Sequence, residues 1–432
     1  MEYRSEEKPC EVCGSTNSKL LWEKKSWSKT ILLKNGPVLF HHKDVMCLDC
    51  GLVYKNPMLT RDCVKEFYNG PYAALYKPYN AGGISKAHII EGVVRTVGML
   101  DFLAEAQIDL KDKKVFEVGV GMGILLKGIQ SLGGHVSGLD FDARSCEIAK
   151  KLFAFDVNHM DVELYNSEEK YDLIFMCNTL EHFYSPRELL HKLQLLLADD
   201  GKLVIEVPSY HYPYVHAVVD AFFSSAHNYT FDYFSFCNLT EQCGYKVEYW
   251  GHNGHNKVMQ FVLARDNKKQ PPRGKSSYND VLKKLEEQDV VRHKISEINK
   301  ELFRSTDVSS IIERVLAELP HTSNQAFLSL ATPLLEAGRN KQVIGFMEQY
   351  REGQSGNTDI CFATFLYFKG LALRQMGDFL AAKRCFMDAK ENYPRFETYN
   401  FIEELKIDGI ISDSGFAHYT WWNNNKMLES LG

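Results

Sequence analysis

Two pairs of cysteines and one run of glycines are the residues of this sequence best able to do chemistry. Cys10-Glu-Val-Cys13-Gly and Cys47-Leu-Asp-Cys50-Gly form two C-x-x-C-G knuckles. In each, the glycine allows a tight turn that aims paired thiolates at one ion. Four thiolates without a histidine match a closed, tetrahedral structural zinc site with no position open for chemistry. The alternative is a thioredoxin-like redox pair. It fits less well, because the pair occurs twice and outside a βαβ context. His41 and His42 read as strand-edge residues rather than extra ligands. The other cysteines, among them Cys146, Cys237 and Cys385, stand singly in apolar or helical context and read as core. Cys177 is set apart by the chemistry around it.

The glycines lie in Val115–Gly123, VFEVGVGMG. Val115 and Phe116 read as the end of a buried strand, and Glu117 places a carboxylate at its carboxyl edge. Gly119, Gly121 and Gly123 let the backbone turn tightly and approach a ligand before a helix starts near Ile124. Strand, glycine turn and helix amino end make a nucleotide-binding crevice. The dinucleotide fingerprint is G-x-G-x-x-G; here the third glycine comes one residue early. HVSGLD (His135–Asp140) reads as the next strand. It ends in Asp140, whose carboxylate can accept both hydroxyls of a ribose.

The elements that must position these groups follow in order. A short strand near Val157 precedes the acidic Asp161. KYDLIFMCNTLEHFYSPRELLHKLQLLLADDGKLVIEVP (Lys170–Pro208) supplies a strand, a helix taken to start at L-E-H, and a D-G-K turn into another strand. Across Lys113–Ala264 this order resembles the class I S-adenosylmethionine-dependent methyltransferases. The resemblance implies an α/β fold with a seven-stranded Rossmann-like methyltransferase sheet. It places Glu117 near the methionine amino group, Gly119, Gly121 and Gly123 beneath the cofactor, and Asp140 on the ribose. Asp161 and Val162 fall at the adenine edge, and Cys177 and Asn178 beside the methionine moiety. CGLVYKNPM (Cys50–Met58) is similar to the zinc-binding front domain of sugar C-methyltransferases.

Methyl transfer needs an acceptor aligned behind the sulfonium methyl and a base to deprotonate it. Glu181 and His182 of the L-E-H segment are candidates. His227 is the leading one, because Ser224–Trp250 resembles the stretch of sugar methyltransferases in which a histidine precedes an aromatic run, and a free imidazole titrates near neutrality. Those relatives carry a tyrosine three residues before that histidine and a glutamate immediately before it. Here Ser224 and Ala226 stand instead, which shifts the expectation from carbon to oxygen methylation. Tyr210, His211, Tyr212, Tyr214 and His216 are expected to line the acceptor cleft. Phe67–Gly83, rich in tyrosine, proline and glycine, reads as a loop or lid, with Tyr72 or Tyr76 facing the sulfonium. The helix Ser85–Glu105 leads from it into the cofactor domain.

The chain has 432 residues, 45% of them hydrophobic, and a formal net charge of −6. That length suggests two or three domains, and the charge argues against a nucleic-acid binder. MEYRSEEKPC lacks an apolar core, so no signal peptide is expected. No run approaches the length of a membrane span. The cysteine usage points to a reducing, cytoplasmic setting. Residues 1–60 read as a zinc-binding module and 61–265 as the methyltransferase domain with its lid. Residues 266–310 read as a linker, centred on RDNKKQPPRGKSSYND (Arg265–Asp280), and a helix over Val281–Leu302. Residues 311–432 read as an all-α module. In it, Phe365–Pro394 fits the tetratricopeptide pattern at Gly370, Gly377, Ala382, Phe386, Ala389 and Pro394, and Gln325–Tyr350 resembles a degenerate copy. Trp421 and Trp422 read as a cap or interface.

The expected function is methylation of a hydroxyl on a sugar, nucleotide-linked sugar or surface-glycan unit, with S-adenosylmethionine and zinc bound. The alternatives are C-methylation of a nucleotide-linked keto-sugar and a non-catalytic scaffold that recruits proteins. A dehydrogenase is opposed by the early third glycine and by L-E-H. The expected partners are a small-molecule or glycan acceptor, with a protein or a second copy at the helical repeats.

Overall fold

The computed structural model describes residues 4–23, 31–33, 36–38, 42–69, 72, 86–210, 223–224, 226–253, 258–266, 268, 271–304, 310–311, 331, 334–335, 337–352 and 359–391. The chain forms two compact units, residues 1–214 with 219–286, and residues 215–218 with 287–432.

The first unit begins with small strands: β1 (Ser5–Glu6), β2 (Ser18–Glu23), β3 (Ile31–Leu33), β4 (Gly36–Val38), β5 (Lys43–Cys47), β6 (Val53–Lys55) and β7 (Met58–Leu59). β3 and β4 pair as a ribbon between the two knuckles. In the first knuckle the Gly14 N–H donates to Cys10 O at 2.8 Å; in the second the Gly51 N–H donates to Cys47 O at 2.9 Å. Both glycines sit at positive φ, 72° and 85°, where a side chain would be strained.

Helices α1 (Arg61–Asn69) and α2 (Lys86–Glu105) lead into the main sheet. Its elements run β8 (Lys114–Val118), α3 (Ile124–Ser131), β9 (His135–Asp140), α4 (Ala143–Phe153), β10 (Asn158–His159), β11 (Tyr171–Cys177), α5 (Pro186–Gln194) and β12 (Leu197–Pro208). Then come β13 (Tyr229–Thr230), α6 (Tyr233–Gln242), β14 (Tyr245–Asn253) and β15 (Val258–Arg265). The seven strands lie in the order β10-β9-β8-β11-β12-β15-β14. All neighbours are parallel as far as β12, and β15 runs antiparallel between β12 and β14. β8 and β11 read as near-continuous apolar runs because central parallel strands are covered on both faces. Phe116 of β8 stacks on Tyr165 and Tyr171, with ring centroids 5.0 and 4.6 Å apart. Truncating such a ring costs about 3–5 kcal/mol.

The crevice lies where the strand order reverses, between β8 and β11. This is the topological switch point at which open α/β sheets bind ligands. β13 leaves the main body and pairs with β6, Tyr229 opposite Tyr54 and Thr230 opposite Val53, so it completes a four-stranded sheet with β6, β5 and β2. The cysteine module and the large sheet are thereby stitched through their backbones.

Three expectations meet a different structure. The helix after L-E-H starts at Pro186, with the Ser185 side chain capping its first turn; Leu180–His182 is a separate single 3₁₀ turn. Proline at the first helical position and serine before it favour that start. Tyr210 is fully buried, in a cluster with Phe223, Val281 and Leu285, and so belongs to the core rather than to a cleft wall. The stretch after Arg265 is anchored along the first unit. The Arg273 N–H donates to Asn238 Oδ1 at 2.7 Å, its Nε to Glu241 at 2.7 Å, and Lys275 Nζ to Leu48 O. Helix α7 (Tyr278–Arg304) follows.

The second unit holds α8 (Asn340–Glu352), α9 (Asp359–Gln375) and α10 (Phe379–Glu391). α9 and α10 form a helical hairpin whose turn carries Gly377 at φ 83°. A Cβ on Gly370 would stand 2.5 Å from the Phe386 ring, so the bare backbone there lets that ring pack. Ala389 lies in α10; Pro394, Trp421 and Trp422 lie outside the described residues, as do 325–330, 332–333 and 336 of the stretch Gln325–Tyr350. No described helix is long and apolar enough to cross a membrane.

Candidate active site

The site is built around the turn after β8. Glu117 ends the buried strand at 3% exposure. Burial first, and Asp140 second, push its carboxyl well above the usual carboxylate range. Its Oε2 is buried without a hydrogen-bond partner. A carboxylate in that state suits a cationic ligand group, because it costs free energy until one arrives. Gly119, Gly121 and Gly123 all have positive φ, 84°, 55° and 79°. A Cβ on Gly119 would lie 2.6 Å from Thr179 Oγ1, so glycine is the residue that fits where the β8 turn passes the end of β11. Nothing lies within 4 Å of a Cβ on Gly121, which leaves that backbone open to approach. Gly123 opens α3 without a side-chain cap, which keeps the helix N–H groups available to an acceptor.

Asp140 ends β9 beside this turn. Its Oδ2 accepts the Gly121 N–H at 2.8 Å, and its Oδ1 accepts the Asp142 N–H at 2.8 Å. Asp161 follows β10. It pairs with Lys65 Nζ at 2.7 Å, and its Oδ1 accepts the Glu163 N–H at 2.9 Å. Val162 is 2% exposed and packs in the core beside it.

Glu117, Gly119, Cys177 and Asn178 line one cleft, joined by Gly92, Arg95, Thr96 and Met99 of α2, by Met122 and by Glu206. Asn178 is held in left-handed conformation, φ 49°. Its backbone N–H donates to Glu206 O at 2.8 Å and its Nδ2 to Glu206 Oε1 at 2.6 Å; Glu206 Oε2 accepts Gln260 Nε2 at 2.7 Å. Burial, then Glu206, raises the Cys177 thiol well above its usual range, so it is neutral and unreactive as a nucleophile. Arg95 and Glu206 were not among the sequence candidates. The signals were a lone arginine inside the apolar helix stretch VVRTVGML and a lone carboxylate inside the strand LVIEVP.

A second cluster gathers Glu181, His182 and His227, with one ligating atom of each within 4.8 Å of the others. Glu181 is 1% exposed, and neither carboxylate oxygen has a hydrogen-bond partner. Burial pushes its carboxyl up to about 8. Burial, then His182, Lys55 and His42, holds the His227 imidazole well below its usual value. Tyr68 Oη lies 2.6 Å from His182 Nδ1 and donates to Ala226 O at 2.6 Å. The Asn228 N–H donates to Glu181 O at 2.8 Å, and Asn228 Nδ2 to His182 O at 2.7 Å. The Lys55 N–H donates to Asn228 O at 2.9 Å. His42 is buried on the sheet of β5, its Nε2 3.3 Å from Asp44, which also pairs with Lys55. Tyr72 packs edge-on to His182 with centroids 5.8 Å apart and is not among the residues lining the glycine cleft. Tyr76, His211, Tyr212, Tyr214 and His216 lie outside the described residues.

Cys10, Cys13, Cys47 and Cys50 lie with their sulfurs within 4.8 Å of one another. Cys10 and Cys50 are 3.3 Å apart, Cys13 and Cys47 3.5 Å. Sulfurs around one zinc at the usual bond length stand about 3.8 Å apart, so the set fits such an ion.

Residues 95–249 match the family model described as a methyltransferase domain. The chain is similar to the ubiquinone biosynthesis O-methyltransferase of Coxiella burnetii (strain Dugway 5J108-111), 26% identical over 191 residues, which are 42% of this chain and 77% of that protein. It is also similar to the mitochondrial ubiquinone biosynthesis O-methyltransferase of Schizosaccharomyces pombe, 30% identical over 121 residues, 26% of this chain and 44% of that protein. Among solved structures, the magnesium protoporphyrin IX methyltransferase from Synechocystis PCC 6803 is 16% identical. It covers 48% of this chain and 99% of its own, with a TM-score of 0.37. The chain carries a class I S-adenosylmethionine-dependent methyltransferase domain, and the protein is an S-adenosylmethionine-dependent methyltransferase.

Proposed function

We propose that this enzyme methylates a hydroxyl oxygen. The observation that carries the reading is the juxtaposition, at one switch point, of buried Glu117, the Gly119 backbone that admits no side chain, and Asp140 clasped to Gly121. In this reading Glu117 faces the cofactor's ammonium, Gly119 and Gly121 pass beneath it, and Gly123 opens the helix behind it. Asp140 takes the ribose hydroxyls, Asp161 and Val162 the adenine edge, and Cys177 and Asn178 border the methionine chain. Bound S-adenosylmethionine supplies a methyl group made electrophilic by its sulfonium. Tyr72, edge-on to His182, stands on the acceptor side.

The acceptor meets Glu181, His182 and His227. Its hydroxyl gives up a proton there, and His227, favoured in its neutral form, takes it in the simplest arrangement. Oxygen rather than carbon is supported by Ser224 and Ala226, which cannot orient an imidazole or relay a proton as a tyrosine and a glutamate would. It is supported again by the O-methyltransferase activity named for the relatives. Cys10, Cys13, Cys47 and Cys50 hold a structural zinc. Similarity of Cys50–Met58 to the front domain of sugar methyltransferases supports a sugar or glycan unit as acceptor. The ubiquinone relatives favour a phenolic ring as the second reading.

Incubation with ¹³C-methyl S-adenosylmethionine and two acceptor panels, nucleotide sugars and catechols, tests this directly. A methyl-ether resonance on a member of either panel is expected, and its panel names the class. A carbon-bound methyl would refute oxygen transfer.

A further inference from the structure

Glu181, His182 and His227 carry an arrangement that proton transfer alone does not require. The Glu181 carboxylate is buried with both oxygens unpartnered, in a cluster whose other two members are imidazoles. His182 Nε2 stands 3.8 Å from Glu181 Oε1, too far for a hydrogen bond. Donor atoms around a single transition-metal ion stand about 3–4 Å apart, given bonds of about 2.0–2.2 Å. The His182 ring is also in the right tautomer. Its Nδ1 lies 3.0 Å from Ala226 O, an acceptor only, and 2.6 Å from Tyr68 Oη, which spends its own proton on that same carbonyl. Nδ1 is therefore the protonated nitrogen, and the lone pair is on Nε2, the nitrogen turned toward Glu181. Fixing a histidine through its far nitrogen is how proteins prepare an imidazole for a metal. Asn228 locks the frame by bonding the backbone of both Glu181 and His182.

We infer that Glu181, His182 and His227 form a second metal site, distinct from the four cysteines, that takes one divalent first-row transition ion. Two imidazoles and one carboxylate leave coordination positions open, and this ligand set suits such ions rather than calcium or magnesium. The inference rests on the reading that the acceptor meets these three side chains. A hydroxyl bound to the ion would be acidified enough to give its proton to solvent water as its oxygen takes the methyl group, and His227 then serves as a ligand.

The test is a Co²⁺ titration of the full-length, zinc-loaded protein, followed by visible absorption and equilibrium dialysis. Zinc already on the cysteines keeps cobalt from them, and a thiolate charge-transfer band would reveal exchange. The expected result is a d–d band without that charge-transfer band, saturating at one ion per chain. It is lost in both Glu181→Gln and His227→Gln while S-adenosylmethionine affinity is kept. His227 is only partly buried, so its variant serves if Glu181→Gln fails to fold. No extra cobalt in the wild type, or binding that survives in either folded variant, overturns the site. Absence of cobalt together with loss of turnover in His227→Gln leaves the proton-accepting role standing. Full turnover in His227→Gln would refute the acceptor reading itself.

Discussion

The backbone N–H of Gly121 donates to Asp140 Oδ2 at 2.8 Å, so the carboxylate that ends β9 is clasped to the turn that follows β8. Two strands that are neighbours in the sheet thus fix one ligand-facing loop. Asp140→Ala removes the clasp and, in the proposed reading, the acceptor for the ribose hydroxyls. Affinity for S-adenosylmethionine should fall by at least about tenfold, or roughly 1.4 kcal/mol. Calorimetric titration of the folded variant measures it, and unchanged affinity would remove Asp140 from the site.

Gly119→Ala tests the crowding at the crevice floor. The new Cβ would lie 2.6 Å from Thr179 Oγ1 and sit on a residue at φ 84°. Strain of this kind costs about 1–3 kcal/mol. The denaturation midpoint should drop accordingly. Thr179→Ala in the same chain should recover part of the loss, since it relieves the clash but leaves the φ.

Much of this crevice is legible in the sequence because it is local. Glu117, three glycines and Asp140 fall within two consecutive strand–turn units, and backbone geometry dictates their spacing. The cysteine knuckles are legible for the same reason. Arg95 and Glu206 are harder, because they reach the cleft from α2 and β12 and only the tertiary fold brings them together. The helix boundary at Pro186 is legible too, since Ser185-Pro186 is a helix start signal that outweighs L-E-H four residues earlier. Tyr210 misleads because a tyrosine just past a strand end reads as a cleft residue until the packing of Phe223 and Val281 over it is known.

Burial of Glu117 has a sign that can be measured. Its folded pKa is raised, whereas in the unfolded chain it titrates near 4.3. Between those two values the folded state holds the extra proton, so the stability of the cofactor-free protein falls as pH rises. Glu117→Gln should match the wild type below about pH 4. It should become progressively more stable than the wild type above that, by at most about 1.4 kcal/mol per pH unit until the folded pKa is passed. The same variant should bind S-adenosylmethionine more weakly. Parallel melting curves across pH would contradict the burial account.

In the proposed reading the four cysteines hold zinc, so Cys47→Ser should release it and cost more than the cysteine module. β6 pairs with β13, and Lys55 bonds Asn228, one residue from His227. Turnover should therefore fall together with zinc content and melting temperature, while the Asp140 crevice, built on other strands, keeps more of its affinity. Metal analysis beside a binding titration checks this. Full turnover in zinc-free protein would show that the module does not position His227.

His227→Ala should lower turnover by about 10²–10⁴-fold, the scale of a lost acid–base group. Cofactor affinity should move little, because His227 is not among the residues lining the Glu117 cleft. Equal losses in both would mean that the two clusters are one site.

The most direct measurement is calorimetric titration of the full-length, zinc-loaded protein with S-adenosylmethionine. One site per chain with micromolar affinity, weakened in Asp140→Ala and Glu117→Gln, is the result the account predicts. Folded protein that takes up no S-adenosylmethionine at such concentrations would contradict it.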